Sequence, residues 1–147
     1  MNAEQYKRAN NNSFYVCVVI LGSGLVLTLI KMFSAGVTPG RIAIIIAAGI
    51  GAAMAAIGNF KYATVKKGSL LLMLGATFFY FVLLIAEDNL IYFAFGLPIL
   101  ICSIIYLNVR LCKCGIAAII LSFVITCVKI FISTGSLDES LVPAAIS

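Results

Sequence analysis

Long apolar stretches, separated by short segments that carry the charges, divide the chain into five parts. The first four intervals between charged segments hold 22, 19, 19 and 21 uncharged residues. Each is close to the roughly 20 residues that an α-helix needs to cross a bilayer. The last interval, Cys114–Val128, holds 15 residues. It is long enough only if Lys129 lies near the end of the span and extends its ammonium to the headgroups.

This pattern predicts an all-α fold, a polytopic membrane helix bundle with about five transmembrane helices in one domain. The predicted spans are Phe14–Phe33, Arg41–Asn59, Ser69–Ala86, Leu90–Asn108 and Leu111–Ser133, and residues 1–13 form a cytoplasmic tail. A transmembrane β-barrel is disfavoured because barrel strands alternate apolar and polar residues. Ile42–Ile46 and Leu70–Leu74 are instead apolar at every position.

The two ends of the chain carry separate expectations. A cleaved signal peptide has an apolar core of about 7–15 residues before small residues. Tyr15–Ile30 is longer and leads into Lys31-Met32-Phe33, so a retained signal anchor is expected. Residues 134–147 are either an outer tail or the start of a sixth span, since Pro143 in an apolar stretch suits the first turn of a helix. We therefore expect the membrane portion of a longer protein.

Composition excludes a water-soluble enzyme or a free nucleic-acid-binding domain. Hydrophobic residues make up 63% of the 147 residues, charged residues make up 10%, and the mean hydropathy is +1.18. Soluble domains are about 45–50% apolar and about 25% charged. The lipid bilayer is therefore the expected partner.

The distribution of basic residues predicts the orientation. With a cytoplasmic N-terminus, seven Lys and Arg residues lie inside and three outside, as the positive-inside rule requires. The inner set is Lys7, Arg8, Lys61, Lys66, Lys67, Arg110 and Lys113, and the outer set is Lys31, Arg41 and Lys129. This topology accounts for the net charge of +5, so no nucleic acid partner is implied.

The chain offers no pattern typical of catalysis, cofactor binding or metal binding. It has no His, and no ionisable residue falls at the predicted centre of a span. Pumps and proton-coupled transporters use such groups, so they are disfavoured, whereas permeation of an uncharged substrate is not. Cys112 and Cys114 form a Cys-x-Cys pair, but too few further ligands exist for a metal. We predict no catalytic residue, no cofactor and no metal.

Charged and aromatic residues collect at the predicted outer end of the bundle. The candidate residues are Lys31, Arg41, Glu87, Asp88, Asn89 and Tyr92. Two interpretations stay open. The residues are either solvated helix ends with an interfacial aromatic belt, or the rim of a shallow cleft that receives a small ligand.

Two features concern helix geometry. In the fourth span, Pro98 lies two residues after Gly96. It removes the hydrogen bond to the Ala94 carbonyl, which predicts a kink that is either static or a hinge.

The second span is rich in small residues that allow close helix packing, either within the bundle or across a dimer. These are Ala48, Gly51, Ala52, Ala55 and Ala56.

Two parts of the chain resemble a known family. Met1–Asn10 leading into Phe14-Tyr15-Val16 is similar to the start of multi-pass methyl-accepting chemotaxis proteins of clostridial gut bacteria. Phe93–Leu100 followed by Ile105–Leu111 resembles their fourth span. The similarity extends loosely over the whole chain.

This resemblance implies a sensor in the bacterial plasma membrane. A homo-oligomer, specifically a dimer, is expected separately. In such proteins the last span leads into a cytoplasmic coiled coil that binds the chemotaxis adaptor and the histidine kinase. No such segment occurs in these 147 residues. We expect a sensory input module without catalytic activity. The alternatives are a small permease or transporter fragment, or the sensor part of a histidine kinase or diguanylate cyclase.

Overall fold

The computed structural model describes residues 2–87, 90–106 and 109–134, and this part of the chain is helical. Its α-helices are α1 (Ala3–Ala35), α2 (Pro39–Ala56), α3 (Lys66–Ala86), α4 (Gly96–Ile105) and α5 (Val109–Thr134). A π-helical turn, Ile57–Lys61, continues α2, and a 3₁₀ segment, Leu90–Phe95, precedes α4. No strand occurs in the described ranges. The predicted all-α fold is confirmed.

In the described part of the chain, four helices are long and apolar enough to cross a membrane. They are Ala3–Ala35, Pro39–Lys61, Lys66–Ala86 and Leu111–Ile132, and the apolar helix Tyr92–Ile105 is shorter. Many large apolar side chains point away from the bundle, including Val19, Ile46 and Ile132. Contact of such an apolar surface with water is unfavourable, whereas its contact with lipid chains is not. The chain is therefore a membrane protein with a helix-bundle fold.

Helix α1 begins eleven residues before the predicted first span. The Asn2 side chain accepts a hydrogen bond from the Gln5 amide, and the Gln5 side chain accepts one from the Asn2 amide. This capping box starts the helix at Ala3. Its 33 residues rise about 50 Å, well beyond the roughly 30 Å of bilayer hydrocarbon. Most of the predicted tail is thus helical.

Helices α2 and α3 form an antiparallel pair in close contact along glycines. A Cβ on Gly75 would lie 2.9 Å from the Gly51 carbonyl oxygen, and one on Gly58 would lie 2.9 Å from the Gly68 carbonyl oxygen. The step from Gly51 in α2 to Gly58 in the π-helical turn that continues it equals the step from Gly75 back to Gly68 along α3. The register of the pair is therefore fixed by sites where only hydrogen fits.

The small residues of α2 divide between two faces. Ala48, Gly51 and Ala55 are buried within the bundle, Ala56 is half-buried, and Ala52 is exposed. Three of the five predicted packing residues thus pack inside the chain itself. The alternative role in a dimer stays a prediction.

The fourth segment differs from the predicted span Leu90–Asn108. A continuous helix kinked at Pro98 was expected, but α4 begins at Gly96, and the preceding turns are 3₁₀. Pro98 consequently lies in the first turn of α4, where an intrahelical partner for its nitrogen is not required. The ten residues of α4 rise only about 15 Å, and the 3₁₀ residues add about 2 Å each.

Candidate functional site: the Glu87 cluster

The candidate site lies at the end of the bundle where α1 ends, α2 begins and α3 ends. We call it the Glu87 cluster, and its members are Lys31, Arg41, Glu87, Tyr92 and Lys129. The short connection 36–38 brings the end of α1 next to the start of α2. The pairing of α2 with α3 then continues to this end, where a Cβ on Gly40 would lie 3.3 Å from the Ala86 Cβ. Glu87, the next residue, is thereby placed between α1 and α2.

Glu87 forms ion pairs with two helices. The Lys31 Nζ lies 2.5 Å from Glu87 Oε2, and the Arg41 Nε lies 3.4 Å from Glu87 Oε1. The Glu87 side chain is only 8% exposed, compared with 13% for Arg41 and 31% for Lys31. A carboxylate with so little access to water needs these partners, because burial of an unpaired charge is costly.

Arg41 also closes the turn between α1 and α2. Its Nη1 donates to the carbonyl oxygen of Lys31 at 3.2 Å and to that of Gly36. Gly36 has a φ of +80°, in the left-handed region that favours glycine. One guanidinium thus satisfies carbonyls at the end of α1 while it pairs with Glu87.

Tyr92 brings the 3₁₀ segment into the cluster. The Lys31 Nζ lies 5.0 Å from the centre of the Tyr92 ring, within the range of a cation–π interaction. Tyr92 is 1% exposed. The Lys31 ammonium therefore contacts both the Glu87 carboxylate and an aromatic face.

Lys129 links α5 to the end of α3. Its Nζ donates to the carbonyl oxygens of Leu84 and Ile85, each at 3.0 Å, and to that of Glu87 at 2.7 Å. These carbonyls belong to the last turn of α3 and the residue after it, where no intrahelical partner exists. An ammonium at this position also interacts favourably with the helix dipole.

The structure brings together four of the six predicted rim residues, namely Lys31, Arg41, Glu87 and Tyr92. Asp88 and Asn89 lie outside the described residues. The prediction for Lys129 was contact with lipid headgroups, whereas the structure places its ammonium on backbone carbonyls. The bends in the chain place two cations on the Glu87 carboxylate and a third, Lys129, on backbone carbonyls at the end of α3.

Of the two predicted hinge residues, Gly96 and Pro98, the structure places Gly96 beside Tyr80. A Cβ on Gly96 would lie 3.0 Å from the Tyr80 hydroxyl, so glycine permits this close approach. The same hydroxyl lies 3.4 Å from the Phe93 carbonyl oxygen, to which it donates. Gly96 and Pro98 thus mark the point where the 3₁₀ segment ends against α3.

The cysteines are distributed over several helices. Cys17 and Cys102 are buried, Cys112 and Cys127 are half-buried, and Cys114 is exposed. The Cys112 thiol lies 3.5 Å from the Ser103 carbonyl oxygen. Within the described ranges, no group of three or more potential metal ligands comes together.

Comparisons with protein-family models, with curated proteins and with solved structures found no match to this chain. The resemblance to chemotaxis proteins therefore stays a prediction.

Proposed function

We propose that the chain is the membrane-embedded sensory input module of a bacterial signal transducer, and that the Glu87 cluster is the part that responds to the stimulus. The observation that carries this proposal is the meeting of four α-helices at one residue. The Glu87 carboxylate pairs with α1 and α2. Its carbonyl at the end of α3 accepts from Lys129 of α5. A displacement of Glu87 would therefore alter the contacts of Lys129 on α5.

Helix α5 is the least buried of the four long apolar helices in the described residues. In its most apolar stretch 11% of the residues are buried inside the bundle, compared with 50% for α3. Lys129 attaches this end of α5 to the end of α3 through three backbone carbonyls. A displacement of α5 costs little packing energy, which suits a helix that transmits a signal.

The chemistry of the cluster favours a small carboxylate as the stimulus. Such a ligand competes with Glu87 for Lys31 and Arg41, which are cations already arranged to bind a carboxylate. The ligand shifts the equilibrium only through a difference in affinity between two arrangements of the helices. Release of Glu87 would move the α3 terminus and, with it, the Lys129 contacts.

The wider assignment follows from the sequence. The resemblance to chemotaxis proteins supports a chemotactic transducer that acts as a homodimer in the bacterial plasma membrane. The basic residues near the start of the chain and between α2 and α3 support a cytoplasmic N-terminus. This orientation places the Glu87 cluster on the outer side, where an external ligand arrives.

The test combines hydrogen exchange with transport assays. The full chain in lipid nanodiscs is exposed to acetate, succinate and L-aspartate, and amide exchange is measured by mass spectrometry. We expect at least one compound to change exchange in the outer half of α5 in the wild type. The Glu87→Gln variant, which already lacks the carboxylate, should not respond.

The same compounds are then offered to proteoliposomes that contain the wild-type chain. A sensory module binds without transport, so we expect no uptake above that of empty liposomes. Uptake would favour the small permease instead. Unchanged exchange in α5 with every compound would contradict the proposed stimulus.

A further inference from the structure

A cleft lies at the opposite end of the bundle from the Glu87 cluster. It has a volume of about 590 Å³ and runs between the first turns of α1 and the π-helical turn after α2. Its lining includes Glu4, Lys7, Arg8, Asn11, Asn59 and Phe60. The cleft plays no part in the function proposed above.

The cations of the cleft lie on a face of α1 that the core does not use. Residues 4, 7, 8 and 11 follow helical spacing on one side, whereas Asn10 and Ser13 are buried on another. Lys7 and Arg8 are exposed, and neither forms an ion pair within the described ranges. Their charges are therefore available to a ligand.

Asn10 holds this face in place. Its side-chain amide donates to the carbonyl oxygens of Ala63 at 2.7 Å and Tyr62 at 3.4 Å. These contacts attach the first turns of α1 to the α2–α3 connection. The cleft is thus bounded by two fixed walls.

The second wall is the π-helical turn. The Tyr62 amide donates to the Ile57 carbonyl oxygen at 3.3 Å, which is the i to i+5 bond of this turn. π-helical turns are rare and are often found at functional sites. Here the turn brings Asn59 and Phe60 to the cleft.

Phe60 gives the cleft an apolar side. Its side chain is 76% exposed, and its ring centre lies 5.7 Å from that of Phe14 in an edge-to-face contact. Phe14 begins the apolar stretch of α1. The cleft therefore has a polar part lined by cations and amides and an apolar part lined by Phe60. A phospholipid has the same sequence of chemistry, with a polar headgroup followed by apolar acyl chains.

We propose that this cleft binds an anionic phospholipid, with the headgroup phosphate between Lys7, Arg8 and the amide of Asn59, and an acyl chain along Phe60. The two cations and the amide are donors suited to phosphate oxygens. Glu4, at the rim, supplies one carboxylate against the two cations. A free phosphate would use the polar side alone and leave Phe60 without a role.

The test is native mass spectrometry of the full chain in detergent, titrated with phosphatidylglycerol or with phosphatidylcholine. We expect the wild type to prefer phosphatidylglycerol. The double variant Lys7→Gln/Arg8→Gln should bind it about tenfold more weakly or worse, since each cation near a membrane surface contributes to anionic-lipid binding.

The matched control is Lys67→Gln/Lys113→Gln, which removes two exposed cations at the same end of the bundle but outside the cleft. We expect its affinity for phosphatidylglycerol to stay within about twofold of the wild type, because single-headgroup binding depends on nearby charges. Equal losses in both double variants would overturn the proposal, because only the general positive charge would then matter.

Phe60→Ala and inorganic phosphate separate a lipid from a free anion. Loss of the exposed ring should weaken phosphatidylglycerol binding about threefold, because acyl-chain contact is lost. Inorganic phosphate should not displace the lipid. Displacement by phosphate, together with unchanged lipid affinity in Phe60→Ala, would overturn the proposal in favour of a phosphate site.

Discussion

Glu87 shows how a membrane protein keeps a buried charge. Its carboxylate is nearly enclosed, yet it has a cation from α1 on one oxygen and a cation from α2 on the other. A buried ion pair adds little net stability, but loss of one partner leaves an uncompensated charge. The cluster therefore acts mainly as a device that fixes where three helix ends meet.

Replacement of Glu87 by Gln should destabilise the fold by about 2 kcal/mol, because Arg41 and Lys31 lose their counter-charge while partly buried. The free energy of unfolding in mixed micelles measures this change. Glu4→Gln removes a carboxylate from an exposed first turn and should cost less than about 1 kcal/mol. Equal losses in the two variants would contradict the role of the ion pairs.

The glycine contacts between α2 and α3 give a second prediction at this scale. Gly75→Ala places a methyl group 2.9 Å from the Gly51 carbonyl oxygen and 3.1 Å from the Met54 Cβ. We expect a loss of about 1–3 kcal/mol from overpacking, measured as a lower thermal midpoint in detergent.

Gly49→Ala is the matched control for that substitution. A Cβ at Gly49 meets nothing within 4 Å, and alanine has the higher helix propensity. We expect no loss, or a gain of up to about 1 kcal/mol. A destabilisation as large as that of Gly75→Ala would contradict the assignment of the Gly75→Ala loss to contact between α2 and α3, because helix propensity alone favours alanine at both positions.

The sequence predicts some members of the Glu87 cluster better than others. Lys31, Arg41 and Glu87 could be assigned to one end because charges at helix ends face the same side of the bilayer. The role of Lys129 could not be predicted, because its partners are backbone carbonyls of another helix. Every residue carries a backbone carbonyl, so the sequence does not identify which ones accept from Lys129. Tyr92 was predicted by position, whereas its contact with Lys31 depends on the 3₁₀ geometry.

At the scale of the element, the segment from Leu90 to Ile105 departs most from a regular span. The α-helix begins only at Gly96, where the backbone lies against the Tyr80 side chain. Proline at position 98 fits a first turn but would not fit the middle of a longer α-helix. Pro98 therefore disfavours a continuous α-helix that would begin near Leu90 and run through position 98.

Pro98→Ala removes that restriction. We expect the α-helix to extend toward Leu90, with slower amide exchange in the segment Leu90–Phe95 and a change in stability below about 1 kcal/mol. Exchange measured by mass spectrometry in nanodiscs tests this. Unchanged exchange throughout the segment would indicate that Tyr80 and its neighbours, rather than the proline, hold the 3₁₀ turns.

The charge intervals predicted the existence of the helices better than their ends. They measure the uncharged stretch, and a helix can continue beyond it, as α1 does from Ala3 to Ser13. The π-helical turn at Ile57–Lys61 left no periodic signal, since it ends the helix and no helical residues follow it directly to show a shift of the apolar face. Helix existence follows from bilayer thickness, whereas helix ends depend on caps and neighbours.

At the scale of the whole molecule, the two ends of the bundle differ in chemistry. One end holds charges that bind one another around Glu87, and the other holds exposed cations beside a cleft. Helices α1, α2 and α3 pack closely, while α5 has most of its surface outside the bundle. This asymmetry suits a protein in which one helix moves relative to a stable body.

The orientation gives a prediction at this scale. Ser34 and Thr64 are exposed at opposite ends of the bundle. With a cytoplasmic N-terminus, Ser34→Cys should react with a membrane-impermeant maleimide in intact cells, and Thr64→Cys should react only after permeabilisation. The parent chain, with its five native cysteines, supplies the background. The reverse pattern would contradict the orientation.

The most direct test of the central claim, that the Glu87 cluster holds α5 to the bundle, is a distance between α3 and α5 in a bilayer. Spin labels at Ile85→Cys and Ile132→Cys, both exposed, are introduced after the native cysteines have been replaced, and the distance is measured by pulsed electron paramagnetic resonance in nanodiscs. With Lys129 present we predict a single narrow distribution, and with Lys129→Gln a broader or longer one. Lys113→Gln, at the other end of α5, should leave it unchanged. Identical distributions with and without Lys129 would contradict the account.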